Sequence, residues 1–342
     1  MNLSPLEHGG RLRAAAKTWG TPLDQWLDLS TGINPHGWPV PAIPEEVWRR
    51  LPEPDDGLEP LIRQWVGAPD GAACMALAGS QAAIMHLPRL RKPCRVGVPS
   101  PGYQEHGHNW AAAGHRVIEI GNDQLEEDDE SWLDELDELD VLVWINPNNP
   151  TGQVVDPDRL LSWHQRLQRR GGWLIVDEAF VDATPELSVG HATDKPGLIV
   201  MRSLGKFFGL AGLRAGAAVG DPDIVRRLSA VIGPWSISGP ARFIMGQALA
   251  DTQWQAATME RLHSESQRLA DCLSRHGFEG AAGTALFRYV RHGRAADIAG
   301  ELARRGILVR EFEKPAALRF GLPGSEPEWT RLDQALYLSH LY

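Results

Sequence analysis

Lysine carries the primary amine that condenses with an aldehyde, and one lysine of this chain stands where such chemistry could be staged. Residues 198–216 read LIVMRSLGKFFGLAGLRAG. The apolar run Leu198–Met201 predicts a buried strand, and Lys206 follows just past its end, among glycines and aromatics. Ser203 precedes the lysine and Arg214 follows it. A phosphorylated aldehyde would need such flanks, because a hydroxyl and a guanidinium fork both hydrogen-bond to phosphate. A surface lysine after a buried strand has the same local pattern, so the stretch alone leaves both readings open.

The rest of the chain must supply the elements that hold these groups. With 342 residues, 43% hydrophobic and 23% charged, it has the balance of a globular protein and the length for a large and a small domain. A net charge of −10 argues against nucleic acid and anionic membrane as partners. A small phosphorylated ligand answers only to local charge. No apolar run reaches transmembrane length, and the opening MNLSPLEHGGRLR lacks the apolar segment of a signal peptide. A cytoplasmic protein is the expectation. Cys74, Cys94 and Cys272 are scattered, with no CxxC and no pair at metal-ligand spacing. They read as buried or idle thiols, and no metal is predicted.

In order, residues 1–40 form an N-terminal arm. Its HGG at 8–10 reads either as a flexible turn or as an anion pocket, where glycines admit backbone N–H groups and His8 adds a titratable donor. LDLS (27–30) is a short strand and TGINPHG (31–37) a turn-rich loop. The segment 73–87 reads as a strand, a Gly79-Ser80-Gln81 turn that could face an anion, and a helix. RVGVPSPGYQEHG (95–107) is a strand and a loop carrying Tyr103, which could lie on a planar ring or simply pack. His106 and His108 read as surface residues. The acidic run 126–140 predicts an amphipathic helix, with Trp132, Leu133, Leu136 and Leu139 at helical spacing. VLVWINPNNPTG (141–152) is an apolar strand running into a dense turn that places Asn149 beyond the strand's carboxyl end, where open α/β sheets bind ligands. GWLIVDEAF (172–180) ends a buried run on Asp177. A carboxylate there is costly unless paired, as an N-cap, in an ion pair, or with a protonated pyridine nitrogen. The alternation of strands and helices predicts an α/β fold: a mostly parallel, doubly wound sheet over 41–240, and a smaller α+β domain over 241–342.

Taken together, Gly79-Ser80-Gln81, Asn149, Asp177 and Ser203–Lys206–Arg214 suit one ligand with a phosphate, a ring nitrogen, a phenolic oxygen and an aldehyde. NPNNPTG, DEAF, SLGKFFGLAGLRAG and LRFG, in that order, span most of a chain that resembles the fold type I pyridoxal-phosphate enzymes of the class I/II aminotransferase family. The resemblance implies pyridoxal 5'-phosphate as cofactor and a homodimer. It makes Lys206 the Schiff-base lysine and Asp177 the partner of the pyridinium. Asn149 would bond the phenolic oxygen and Tyr103 would stack on the ring. Gly79, Ser80, Gln81, Ser203 and Arg214 would hold the phosphate. Arg319 would grip a substrate anion, normally the α-carboxylate. His8, Gly9 and Gly32, with Asn149, would line the substrate pocket.

The HGG arm, LDLSTGINPHG, DEAF, and RSLGKF followed by GLRAG point to family members that decarboxylate a phosphorylated amino acid. Aminotransferases of a phosphorylated amino compound are the alternative. Against a third reading, a non-catalytic cofactor-binding protein, stand Lys206, Asp177 and Asn149 together. Three positions depart from relatives. Phe180 stands where many carry a tyrosine, which favours the decarboxylating group. Leu51 stands where a partner subunit often supplies a tyrosine to the cofactor phosphate. Pro323 falls where a second substrate arginine is expected, so that either another residue such as Arg310 takes that load or the substrate differs.

Overall fold

A computed structural model describes residues 6, 8–121 and 132–339. Its strands are β1 (Leu27–Leu29), β2 (Ala73–Leu77), β3 (Arg95–Ser100), β4 (Arg116–Gly121), β5 (Val141–Ile145), β6 (Trp173–Asp177), β7 (Leu198–Ser203), β8 (Gly216–Gly220), β9 (Ala282–Thr284), β10 (Phe287–Arg291), β11 (Ile307–Glu313) and β12 (Ala316–Gly321). The chain divides into two compact units. The larger comprises Trp38–Asn149 and Gln153–Ala256, the smaller Met1–Gly37, Pro150–Gly152 and Ala257–Tyr342.

The larger unit is built on a seven-stranded sheet ordered β2-β8-β7-β6-β5-β3-β4. β8 runs antiparallel to both neighbours, and the strands from β7 through β4 pair in parallel. The runs VLVWI, WLIVD and LIVMRS are buried along their whole length. Continuous apolar runs of this kind belong to central parallel strands covered on both faces. The helices that follow them start on side-chain caps. Asp156 accepts from the Asp158 N–H at 2.8 Å to open Pro157–Gln168, and Asp221 accepts from Asp223 at 2.8 Å to open Pro222–Ile232. Each cap satisfies an otherwise orphaned N–H, and the proline behind it needs none. Trp163 meets Trp132 and Trp144 edge to face, at 4.5 and 5.3 Å between centroids, so these rings serve the core. In the acidic run the helix is Trp132–Asp137, with Trp132, Leu136 and Leu139 buried. Residues 126–131 lie outside the described residues.

The smaller unit carries the sheet β1-β11-β12-β10-β9. β1 pairs in parallel with β11, Leu27 opposite Ile307 and Leu29 opposite Val309, while β11, β12, β10 and β9 form antiparallel pairs. The N-terminal arm is thus an edge strand of the C-terminal sheet, because Leu27 and Leu29 bury their side chains there. The division between units falls inside the helix Thr252–Arg275, past the 240/241 boundary expected from the sequence. The helix Gly239–Ala250, capped by Ser238, stays with the larger unit.

Candidate active site

Strand register assembles the groups of the larger unit. Asp177 ends β6, opposite Ile145 of β5 on one side and Met201 of β7 on the other. Side chains alternate along a strand, so Asp177 shares a face with Met201 and Ser203, and Glu178 and Arg202 take the other. On that second face Arg202 is buried between two carboxylates: its Nε donates to Glu178 at 2.9 Å and its Nη1 to Asp182 at 2.8 Å. Ser188 and Trp65 complete the network through the Ser188 hydroxyl and the Trp65 Nε1–H. Burial pushes the Asp182 carboxyl up to about 6, against the pull of Arg202. Removing one member of such a buried set strands the others, a cost of about 3–5 kcal/mol. The network therefore ties the end of β6 to the end of β7, the two strands that deliver Asp177 and Lys206.

Asp177 is 4% exposed. Its Oδ1 accepts from the Ala179 N–H at 3.1 Å, and its Oδ2 lies 2.9 Å from Nε2 of His106. The sequence reading of His106 as a surface residue is corrected here: the imidazole is 2% exposed and directed at Asp177. It sits on the buried side of the helix Glu105–Ala112, three positions after Tyr103, whose ring it meets edge-on at 6.1 Å. Burial, reinforced by Glu105 and Asp177, pushes the Tyr103 hydroxyl up to about 12, so it stays protonated. Lys206 places Nζ 5.4 Å from the centroid of the buried Phe180 ring.

Asn149 follows β5 in a loop that Asn146 closes. The Asn146 side chain donates to the Val155 carbonyl at 3.0 Å and accepts from the Val155 N–H at 2.9 Å. One buried amide satisfies both backbone groups across the turn, which fixes the NPNNPTG loop at the strand end.

The phosphate-binding candidates gather around Gly216. Ser203 of β7 and Leu77 of β2 are both register partners of Gly216 in β8, so the Gly79-Ser80 turn and Ser203 flank it. Gly79 has φ 74°, and a Cβ there would lie 3.0 Å from Nη2 of Arg214. Only glycine takes that backbone and leaves that space. Arg214 itself sits at φ 55°, a left-handed conformation costing about 1–2 kcal/mol, and its Nη1 donates to the Ala211 carbonyl at 3.1 Å. The Gln81 side chain donates to Glu105 at 2.9 Å, which ties the start of the helix after β2 to the helix after β3. A buried carboxylate backed by an imidazole, a lysine beyond the next strand, and an arginine fork over a glycine turn fit pyridoxal phosphate. Asp177 suits a pyridinium, Lys206 an aldehyde, and Ser80, Ser203 and Arg214 a phosphate.

In the smaller unit the arm is held by Ser30. The Gly10 N–H donates to Ser30 Oγ at 2.7 Å, and that hydroxyl donates to Asp28 at 2.6 Å. Gly9 passes so close that a Cβ would lie 2.3 Å from the Ser30 carbonyl oxygen. The same carbonyl accepts from Nη2 of the buried Arg319 at 2.9 Å. Arg319 of β12 is the register partner of Arg310 of β11. Burial first, and then the charge of Arg310, push the Arg319 guanidinium down to about 10, with Asp28 opposing. It remains a cation at neutral pH. Gly32 is buried, His8 is exposed, Pro323 is buried, and Leu51 of the larger unit is exposed. Sequence reasoning missed Asp28 and Ser30, which stand in the quoted LDLS motif and tie the arm to Arg319.

Residues 26–336 match the family described as aminotransferase class I and II, and the chain belongs to that family. Among its relatives, a threonine-phosphate decarboxylase of Pseudomonas aeruginosa is 54% identical over 97% of each chain. Another threonine-phosphate decarboxylase, from Sinorhizobium sp, is 38% identical over 97% of this chain and 98% of its own. In fold the chain is similar to a solved histidinol-phosphate aminotransferase of Sinorhizobium meliloti in complex with pyridoxal 5'-phosphate. The TM-score is 0.84 at 20% identity, covering 99% of this chain and 96% of the other. Among the described residues no helix is long and apolar enough to cross a membrane.

Proposed function

We propose that this chain is a pyridoxal-phosphate-dependent carboxy-lyase. It converts O-phospho-L-threonine to (R)-1-amino-2-propanol O-phosphate and CO2, a step of cobalamin biosynthesis. The observation that carries this reading is the high identity, over nearly the whole of both chains, to a threonine-phosphate decarboxylase. The strand-end set Asn149, Asp177 and Lys206 supports it.

Bound pyridoxal phosphate supplies an electron sink for the pair left on Cα when a carboxylate departs. The chain's residues set up that event. Asp177, buried and held by His106, would hold the proton of the ring nitrogen. Asn149 would donate to the phenolic oxygen, and Phe180 would contribute an apolar wall in place of a second hydroxyl donor. Arg319, with Arg310 opposite it in the sheet, binds substrate anions, and His8 and Gly9 of the arm add donors for the phosphate. Two anchored anionic ends would hold the substrate in one orientation and so choose which bond at Cα the cofactor activates. That orientation separates loss of CO2 from loss of the Cα proton. Lys206, the amine set beside the aldehyde position, would be the group able to return a proton to Cα in exchange for the CO2 lost, leaving the phosphate of the product intact.

The fold likeness to a histidinol-phosphate aminotransferase gives the second reading. Cofactor-loaded protein given O-phospho-L-threonine without a keto acid is expected to release CO2. No CO2, together with amino transfer from histidinol phosphate to 2-oxoglutarate, overturns the proposal. We further propose a cytoplasmic homodimer. Support comes from Trp48 and Leu51, each 63% exposed on the larger unit, beside a groove of about 410 Å³ lined by Val47, Leu61 and Phe243. Sedimentation should give twice the 37.7 kDa chain mass. A monomer, or loss of the protein with the membrane fraction on cell lysis, would count against it.

A further inference from the structure

Near the chain's C-terminal end, in the smaller unit, three metal-ligating side chains of different kinds converge. Cys272 lies on the helix Thr252–Arg275, His276 follows just beyond its end, and Asp333 projects from the helix Glu326–Ser339. Sγ, an imidazole nitrogen and a carboxylate oxygen all lie within 4.8 Å of one another. The Asp333 Oδ1 is 3.6 Å from Sγ and 3.0 Å from Nε2 of His276. We propose that Cys272, His276 and Asp333 form a binding site for a zinc-class divalent ion that ties these two helices together.

The distances carry the proposal. A tetrahedral zinc ion holds sulfur at about 2.3 Å and nitrogen or oxygen at about 2.0–2.1 Å, which sets ligand atoms roughly 3.3–3.6 Å apart. The two separations through Asp333, 3.0 and 3.6 Å, bracket that edge, and the sulfur and the imidazole nitrogen, within 4.8 Å of each other, close on the ion by side-chain rotation. The backbone is already set. Cys272 stands in the last turn of the helix, and His276, four positions on, turns back with its N–H on the Leu273 carbonyl at 3.0 Å. The Phe278 N–H returns to the Leu273 carbonyl at 3.1 Å, closing the helix end through Gly277 at φ 74° and holding His276 in place.

The ligand types select the ion. Thiolate with imidazole suits zinc and its neighbours in the first transition row, while magnesium and calcium take oxygen. The Asp333 side chain is 46% exposed, which leaves a fourth position open to water. Arg275 reaches Asp333 at 3.1 Å, but its side chain is 63% exposed, so the guanidinium can turn to solvent at little cost. Binding replaces the thiol S–H bond with a sulfur–metal bond and releases one proton to the buffer. The ion's double charge is then balanced by thiolate and carboxylate. Cysteine spacing alone could not show this site, since its partners are a histidine and an aspartate.

Untagged, cofactor-loaded protein should be titrated with Co2+ and then with Zn2+. Expected are one equivalent of cobalt with the visible bands of tetrahedral coordination and a sulfur charge-transfer band, displaced by zinc. Zinc should also raise the thermal unfolding midpoint. Cys272→Ser should lose the sulfur band, and both Cys272→Ser and His276→Gln should weaken zinc binding by more than about tenfold. No saturable one-to-one binding, or binding unchanged in both variants, overturns the proposal and leaves the cluster a hydrogen-bonded clasp between helices.

Discussion

The larger and the smaller unit hold their candidate site residues by different means. In the larger, Asn149, Asp177, Ser203 and Lys206 follow the ends of adjacent strands whose interiors are fully buried. Their spacing is the spacing of the sheet, and the Glu178–Arg202–Asp182 network locks two of those ends together. In the smaller, the residues proposed for substrate come from opposite ends of the chain. Ser30, against which Gly9 packs, meets Arg319 only because a three-residue strand pairs with β11. His8, at the tip of that arm, is exposed. The difference teaches where change is tolerated. A register-fixed cluster serves chemistry common to a whole family, whereas an arm held by a few polar contacts can be re-cut for a new substrate without touching the sheet.

This contrast can be broken by substitution. Lys206→Ala should abolish the visible absorbance of the bound cofactor and lower kcat by more than about 10⁴-fold; an unchanged spectrum would remove Lys206 from the site. Arg319→Gln should leave that absorbance intact and lower kcat/KM by about 100-fold, the cost of losing one buried charged hydrogen-bonding partner. A loss of cofactor in this variant would erase the division of labour between the units. His106→Leu should lower kcat about tenfold and shift the pH profile, because Asp177 Oδ2 then loses its partner in a buried place. His106→Gln should restore part of the loss. The smallest effect is on stability. Burial raises Asp182 from 3.8 to about 6, so the folded state binds its proton more tightly than the unfolded chain does. Its contribution is complete below about pH 4 and is lost as pH rises through about 6. Asp182→Asn cannot ionise. Its unfolding free energy, measured by urea titration at several pH values, should change less across that interval than that of the wild type.

Much of the fold was legible because buried parallel strands write themselves as continuous apolar runs. VLVWI, WLIVD and LIVM announced β5, β6 and β7, and each run ended on or just before a polar residue: Asn146, Asp177 and Arg202. The edge elements were harder to place. LDLS read as a strand, yet nothing local could say that its partner is β11, nearly the whole chain away. The unit boundary inside the helix Thr252–Arg275 was likewise hidden, since a continuous helix carries no turn signal. His106 was misjudged because a lone histidine in a polar stretch has no periodic signature. Its burial depends on which way the helix after β3 rolls against β6.

Sequence by itself determined the strand-end chemistry: a lysine, a carboxylate, an amide and an arginine fork in the order that one phosphorylated aldehyde requires. It could do so because side-chain type and strand periodicity are local. Tertiary structure alone decided that His106 backs Asp177, that Ser30 joins the arm to Arg319, and that Cys272, His276 and Asp333 meet. Each of these contacts closes a long loop of chain, and only the packing of the assembled sheets and helices fixes which distant residues the loop brings together.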